Sequence, residues 1–203
     1  MKEIKYCIQK AEKHFKNKET EKGLEQLDFA LEKIKKIARE NNIENVYDFE
    51  IDVKEIFKSY EYHTVYNRPS KNKALKLLAF IKSYKKVFKD LDLEIEEGKA
   101  LAFYASNEKE KAIELLMSYI NENIANVSTY VKLLKMYELE KRKQEATLLI
   151  KELEEFIKEE NASIKVQGYK AITSYYNVIG DGVNQKKYNK KLNTSVKGLD
   201  KLL

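Results

Sequence analysis

The chain has 203 residues, 43% hydrophobic and 35% charged, with one Pro, six Gly, one Cys and a net charge of +6. Enough apolar residues are present for a core, and a proline in a helix interior costs about 3 kcal/mol, so a chain this poor in it favours helix nearly throughout. Cys7 alone excludes an internal disulfide, no apolar run approaches the roughly 18 residues of a membrane span, and "MKEIKYCIQKAEKHF" is amphipathic, without a signal-peptide core. The expectation is a cytoplasmic protein in which the sequons at Asn126, Asn161 and Asn193 are chance matches.

Apolar residues recur with a period of 3.6 almost everywhere, and the breaks between periodic segments are short and polar. "NKET" (17–20), "NNIEN" (41–45), "NRPSKN" (67–72), "DLD" (90–92), "SNE" (106–108), "NIANVS" (123–128), "EKRK" (140–143), "ENAS" (160–163) and "GDG" (180–182) delimit about ten helices. Ser70 is placed to cap the helix after the only proline. Asn107 and Glu110 have the spacing of a capping box. Connections this short make neighbours antiparallel. The spacing predicts five pairs: 2–16 with 20–41, 47–66 with 70–89, 93–105 with 108–122, 128–140 with 143–160, and 163–179 with 183–203. The whole chain, 1–203, reads as one all-α helical-repeat domain.

The second helices of the first four pairs share a pattern. Gly23, Ala74, Ala112 and Ala146 stand in the first turn; Leu27, Leu78, Leu116 and Ile150 follow at four residues; Ala30, Ile81, Tyr119 and Leu153 at seven. A small residue there lets paired helices approach closely, which accounts for Gly23 despite a helix cost of up to about 1 kcal/mol. The pattern resembles the tetratricopeptide repeat, a helix–turn–helix unit with a small residue opening its second helix. The step from Ala112 to Ala146 equals the family's period, and that repeat keeps Tyr130, Leu133, Leu134, Tyr137, Ala146 and Ile150 in family-like places. The resemblance implies a right-handed tetratricopeptide-like α-solenoid; a compact irregular helical bundle is the alternative. It also implies a non-enzymatic scaffold that binds a peptide or protein segment in a concave groove, as do peptide-sensing regulators built on such arrays. Carried over residue by residue, the groove takes Ser59, His63 and Tyr66; Glu97, Leu101 and Tyr104; Ser128, Val131, Lys135 and Glu138; and Lys170, Thr173 and Asn177.

Catalytic chemistry is sparse in the sequence. Cys7 and His14 share one helical face, and a half-buried structural pair explains them as well as a nucleophile and its base. "DLDLEIEEG" (90–98) alternates acids like a calcium loop but has Ile95 where such a loop turns on Gly; an acidic first helical turn suits the dipole instead. "GDG" lacks the preceding strand of a phosphate loop. No metal or cofactor is expected. The Tyr residues fall in the expected helices, where most are expected to pack between helices with hydroxyls reaching a polar rim.

Charge is unevenly distributed. From Asn161 onward there are eight Lys against only Asp181 and Asp200, while the preceding 160 residues balance. Lys186, Lys187, Lys190 and Lys191 lie largely off the apolar stripe of the last helix, which makes nucleic-acid or polyanion binding the alternative function. A capping helix with a solvated face is the plain structural account, and the acidic "KELEEFIKEE" (151–160) could neutralise part of it. With only Arg39, Arg68 and Arg142 as arginines, bidentate base or phosphate recognition is disfavoured.

Overall fold

The computed structural model describes residues 2–43, 53–67, 70–86 and 93–200. Among them are ten α-helices and no strand: α1 (Lys2–Lys16), α2 (Thr20–Asn41), α3 (Val53–Glu61), α4 (Lys71–Lys85), α5 (Leu93–Ala105), α6 (Lys109–Asn121), α7 (Val127–Leu139), α8 (Lys143–Lys158), α9 (Ala162–Val178) and α10 (Gly182–Asp200). Helix limits agree with the periodicity to within two residues wherever both are defined, except that α3 gives way at Glu61 to a π-helical turn and α4 ends at Lys85 rather than at 89. The expected helix start at 47, the end at 89, Pro69, "DLD" (90–92) and the last three residues lie outside the described residues. The chain forms two compact units, Met1–Ala112 and Ile113–Leu203, whose boundary falls within α6.

In the first unit α1 packs on α2, and α4 on α5. Ile4, Leu24, Leu27, Ile34, Ile56 and Leu77 are among the side chains that make its core, and Tyr60 stacks on Phe80 with ring centroids 4.2 Å apart. α3 ends in a π-helical turn, Tyr62–Tyr66, closed by the Asn67 N–H donating to the Tyr62 carbonyl at 2.8 Å. The Thr64 hydroxyl, fully buried, donates to the Tyr60 carbonyl at 2.7 Å. Such back-bonding competes with the main-chain ladder and accompanies the loosened turn. In the second unit α7 packs on α8 and on α9, α8 also on α9, and α9 on α10. Leu133, Leu149, Leu153, Ile157, Ile172 and Tyr175 are buried there.

The turns explain the small residues. Lys18, Asn107, Lys141 and Gly180 have positive φ, between 58° and 74°, and follow α1, α5, α7 and α9. At each, the N–H of that residue donates to the carbonyl three back, and the next N–H donates to the carbonyl five back. This is the left-handed closure that satisfies orphan carbonyls at a helix end. It recurs at Asn123 after α6, so the closure itself is generic. What marks the turns at Lys18, Asn107 and Lys141 is the next step: five residues on stand Gly23, Ala112 and Ala146. In each case, as at Ala74, that residue's N–H makes the first i→i−4 bond of the second helix. All four are buried. Asn107 therefore closes α5 rather than opening α6 in a capping box, because its short amide tolerates the left-handed region. Ser70 does cap α4, accepting the Lys73 N–H at 3.4 Å.

Gly23 has a further reason to be glycine. A Cβ built there would lie within 2.7 Å of three carbons of the Phe15 ring, which α1 lays across α2. Gly98 on α5 plays the same part for the Phe57 ring of α3, whose tip would stand 2.6 Å from a Cβ.

Candidate functional site

The sequence-derived groove residues divide between the two units. In the first, His63 stacks face to face on Phe15, centroids 3.5 Å apart and planes 7° from parallel, and meets Tyr62 edge-on. Burial, aided by the Lys73 ammonium, holds the His63 imidazole below its ordinary pKa. Tyr62 and Tyr66, on the same π-helical turn, stack loosely at 6.5 Å and are 55% and 53% exposed. Their rings form a partly open aromatic ledge. At its inner end, burial first, then the Glu61 and Glu97 carboxylates, raise the Tyr66 phenol above its ordinary value. Glu97 is itself fully buried. Tyr104 is half-buried on α5, with the Lys109 ammonium 5.9 Å from its ring.

In the second unit Lys135 is exposed on α7 and ion-paired with Glu138 one turn on. Asn177, exposed near the end of α9, accepts a hydrogen bond from Gln185 of α10 at 2.9 Å, which leaves its own amide N–H groups for other partners. Thr173, half-buried on α9, has a buried hydroxyl oxygen with no hydrogen-bond partner.

The C-terminal lysines are not equivalent. Lys186, Lys187 and Lys190 are exposed, whereas Lys191 is half-buried and ion-paired with Glu154 of α8. The same Glu154 carboxylate accepts the Tyr188 hydroxyl at 2.6 Å. Burial pushes Glu154 upward, but the Lys191 ammonium and the Tyr188 hydroxyl together outweigh it and hold its pKa below the ordinary value. The acidic stretch of α8 therefore does neutralise part of the basic helix. Lys187, Lys190 and Lys191 also line a groove of about 510 Å³ that gathers Lys158 of α8 and Lys165 and Tyr169 of α9; Lys186 is not part of it. Charge clustering along α10 pointed to this end of the chain. The contributions of α8 and α9 carried no signal in the sequence, because Lys158 and Lys165 sit in separate polar stretches that only packing brings to α10.

The catalytic alternatives find no further support. His14 is engaged by Glu19, 2.7 Å from its Nδ1, and Cys7 is a half-buried free thiol. Among the described residues no group of three or more His, Cys, Asp or Glu is gathered so as to hold a metal ion, and no helix is long and apolar enough to cross a membrane.

Fold and surface define an all-α protein of packed helix pairs with polar, partly aromatic faces. Compared with known proteins, the chain matches no family model, no curated protein and no solved structure.

Proposed function

We propose that the chain is a non-enzymatic scaffold, a tetratricopeptide-like stack of helix pairs that holds an extended peptide or protein segment along the first helices of its pairs. The observation that carries this reading is the recurrent turn. Three pairs reach a buried small residue five positions after a left-handed turn residue, with the same closing hydrogen bonds. The packing of α7 on both α8 and α9 supports it as well, since stacked pairs bury their faces against successive neighbours. In the second unit the peptide lies along α7 and α9, where it meets the exposed Lys135, in competition with Glu138, and the amide donors of Asn177. Peptides selected on the intact chain from a random library provide the test. Asn177→Ala is expected to weaken a selected peptide by about 0.5–1.5 kcal/mol, the worth of a neutral hydrogen bond, and Lys135→Ala to weaken peptides with acidic residues more than neutral ones. Selected peptides whose affinity survives both substitutions reject this face as the site.

A further inference from the structure

Three helices of the second unit converge their lysines on one groove. Lys158 comes from the end of α8, Lys165 from the start of α9, and Lys187, Lys190 and Lys191 from α10; Tyr169 forms part of the wall. Two of the five are compensated: Lys191 is paired with Glu154, and Lys158 stands 3.6 Å from Glu155. Lys165, Lys187 and Lys190 have no carboxylate within ion-pair distance, although Glu154 lies in the adjoining hollow. Asp181 is engaged elsewhere: it accepts the Asn184 N–H at 3.0 Å and its side-chain amide at 2.7 Å. The excess charge of the last forty-odd residues thus does not spread evenly over a solvated helix. A large part of it faces one concavity of nucleotide size.

Ligand class follows from three features. Ammonium groups are point charges, suited to the rounded charge of a phosphate rather than to the planar fork of a carboxylate. Three cations outside any ion pair, around about 510 Å³, call for several negative charges in a small volume. A nucleic-acid strand would also need ring faces on which to stack bases. Here the Lys191 ammonium already stands 5.7 Å from the Tyr169 ring, and Tyr188 is buried against Tyr176, centroids 5.4 Å apart. The Thr194 and Ser195 hydroxyls donate to the Lys190 and Lys191 carbonyls, so donors to a ligand come from the lysines and Tyr169.

We infer that this groove binds a small polyphosphorylated anion with at least three negative charges. The site shares no residue with the peptide-binding face proposed above and stands or falls without it. Titration calorimetry of the intact chain at physiological ionic strength tests it, with inorganic tripolyphosphate as the probe. Tripolyphosphate is expected to bind at least about tenfold more tightly than orthophosphate, and the double variant Lys165→Gln/Lys190→Gln to lose about tenfold or more, as loss of charge-assisted contacts requires. Glu154→Gln, which frees Lys191 while keeping an acceptor for Tyr188, is expected to tighten binding, an effect that a damaged fold does not mimic. Lys186→Gln, outside the groove, leaves the affinity unchanged. Equal binding of tripolyphosphate and orthophosphate overturns the inference, as does a loss at Lys186→Gln equal to that at the groove lysines. Tighter binding of a short oligothymidine than of tripolyphosphate, lost in the same double variant, also overturns it and assigns the groove to nucleic acid.

Discussion

Gly23 offers the sharpest test of how α1 and α2 are held together, because two physical effects there have opposite signs. Gly23→Ala gains up to about 1 kcal/mol of helix propensity. The added methyl, however, would sit within 2.7 Å of three Phe15 ring carbons, where carbon pairs prefer about 3.5–4.0 Å. The ring must retreat by about an ångström, and its stacking on His63, centroids 3.5 Å apart, resists that movement. Overpacking of this kind costs about 1–3 kcal/mol, so the net expectation is destabilisation by up to about 2 kcal/mol. Urea denaturation of the intact chain measures it, with the midpoint falling at unchanged slope. A control reverses the sign. In a Phe15→Ala background the obstruction is gone, and Gly23→Ala should stabilise by up to about 1 kcal/mol. If Gly23→Ala stabilises the chain with Phe15 in place, then the close approach of the two helices is not what requires glycine, and this reasoning is refuted.

Two further expectations concern pH. His63 has a folded pKa below its ordinary 6.5, so the unfolded chain binds the extra proton first; the stability tied to neutral His63 is complete above 6.5 and drains away as pH falls through the folded value. His63→Phe keeps a ring for Phe15 to stack on and should remove this component; a wild-type-minus-variant stability difference that stays flat from about pH 8 to pH 5 refutes it. Asp28 lies the other way: burial raises its pKa, against the Tyr60 hydroxyl 3.5 Å away and the Lys76 ammonium, so the stability of its protonated form is lost as pH rises through the folded value. Asp28→Asn should therefore stabilise the chain at neutral pH, with the gap narrowing on acidification, and a less stable Asn variant in neutral urea titrations contradicts this.

What the sequence made legible is what local chemistry encodes. Helix limits followed from a 3.6-residue period, and the positions of Gly23, Ala74, Ala112 and Ala146 from the small side chain that close packing demands. The turn residues were not legible. Lysine has no preference for positive φ, so nothing marks Lys18 or Lys141 as left-handed, and asparagine serves both at helix starts and helix ends, which is how Asn107 misleads. The same limit governs the surface. That α8 would neutralise part of α10 was readable from opposite charge in neighbouring segments. That Glu154 would be the carboxylate, bound to Lys191 thirty-seven residues away, and that Lys158 and Lys165 would join the groove while Lys186 would not, depends on the rotation of each helix about its axis. Hydrophobic periodicity fixes that rotation only coarsely.

The unequal spacing of the small residues also has a physical account. Intervals of 51, 38 and 34 residues separate them, yet the step from turn to small residue is five after Lys18, Asn107 and Lys141 alike. A turn is over-determined: its closing hydrogen bonds, the left-handed residue and the first bond of the next helix leave no room for insertion. Helix length is not, because a paired helix needs only a buried face, and further turns can extend it. Thus α2 runs for 22 residues where α6 runs for 13. The pair containing Ala74 departs further: α3 ends in a π-helical turn, and Ser70 rather than a left-handed closure opens α4. After α9 the position five beyond Gly180 is Gln185, which is half-buried and donates to the Asn177 side chain. α10 still packs on α9, with Tyr188 buried against Tyr176, and leaves Lys187 and Lys190 exposed to line the groove with α8 and α9.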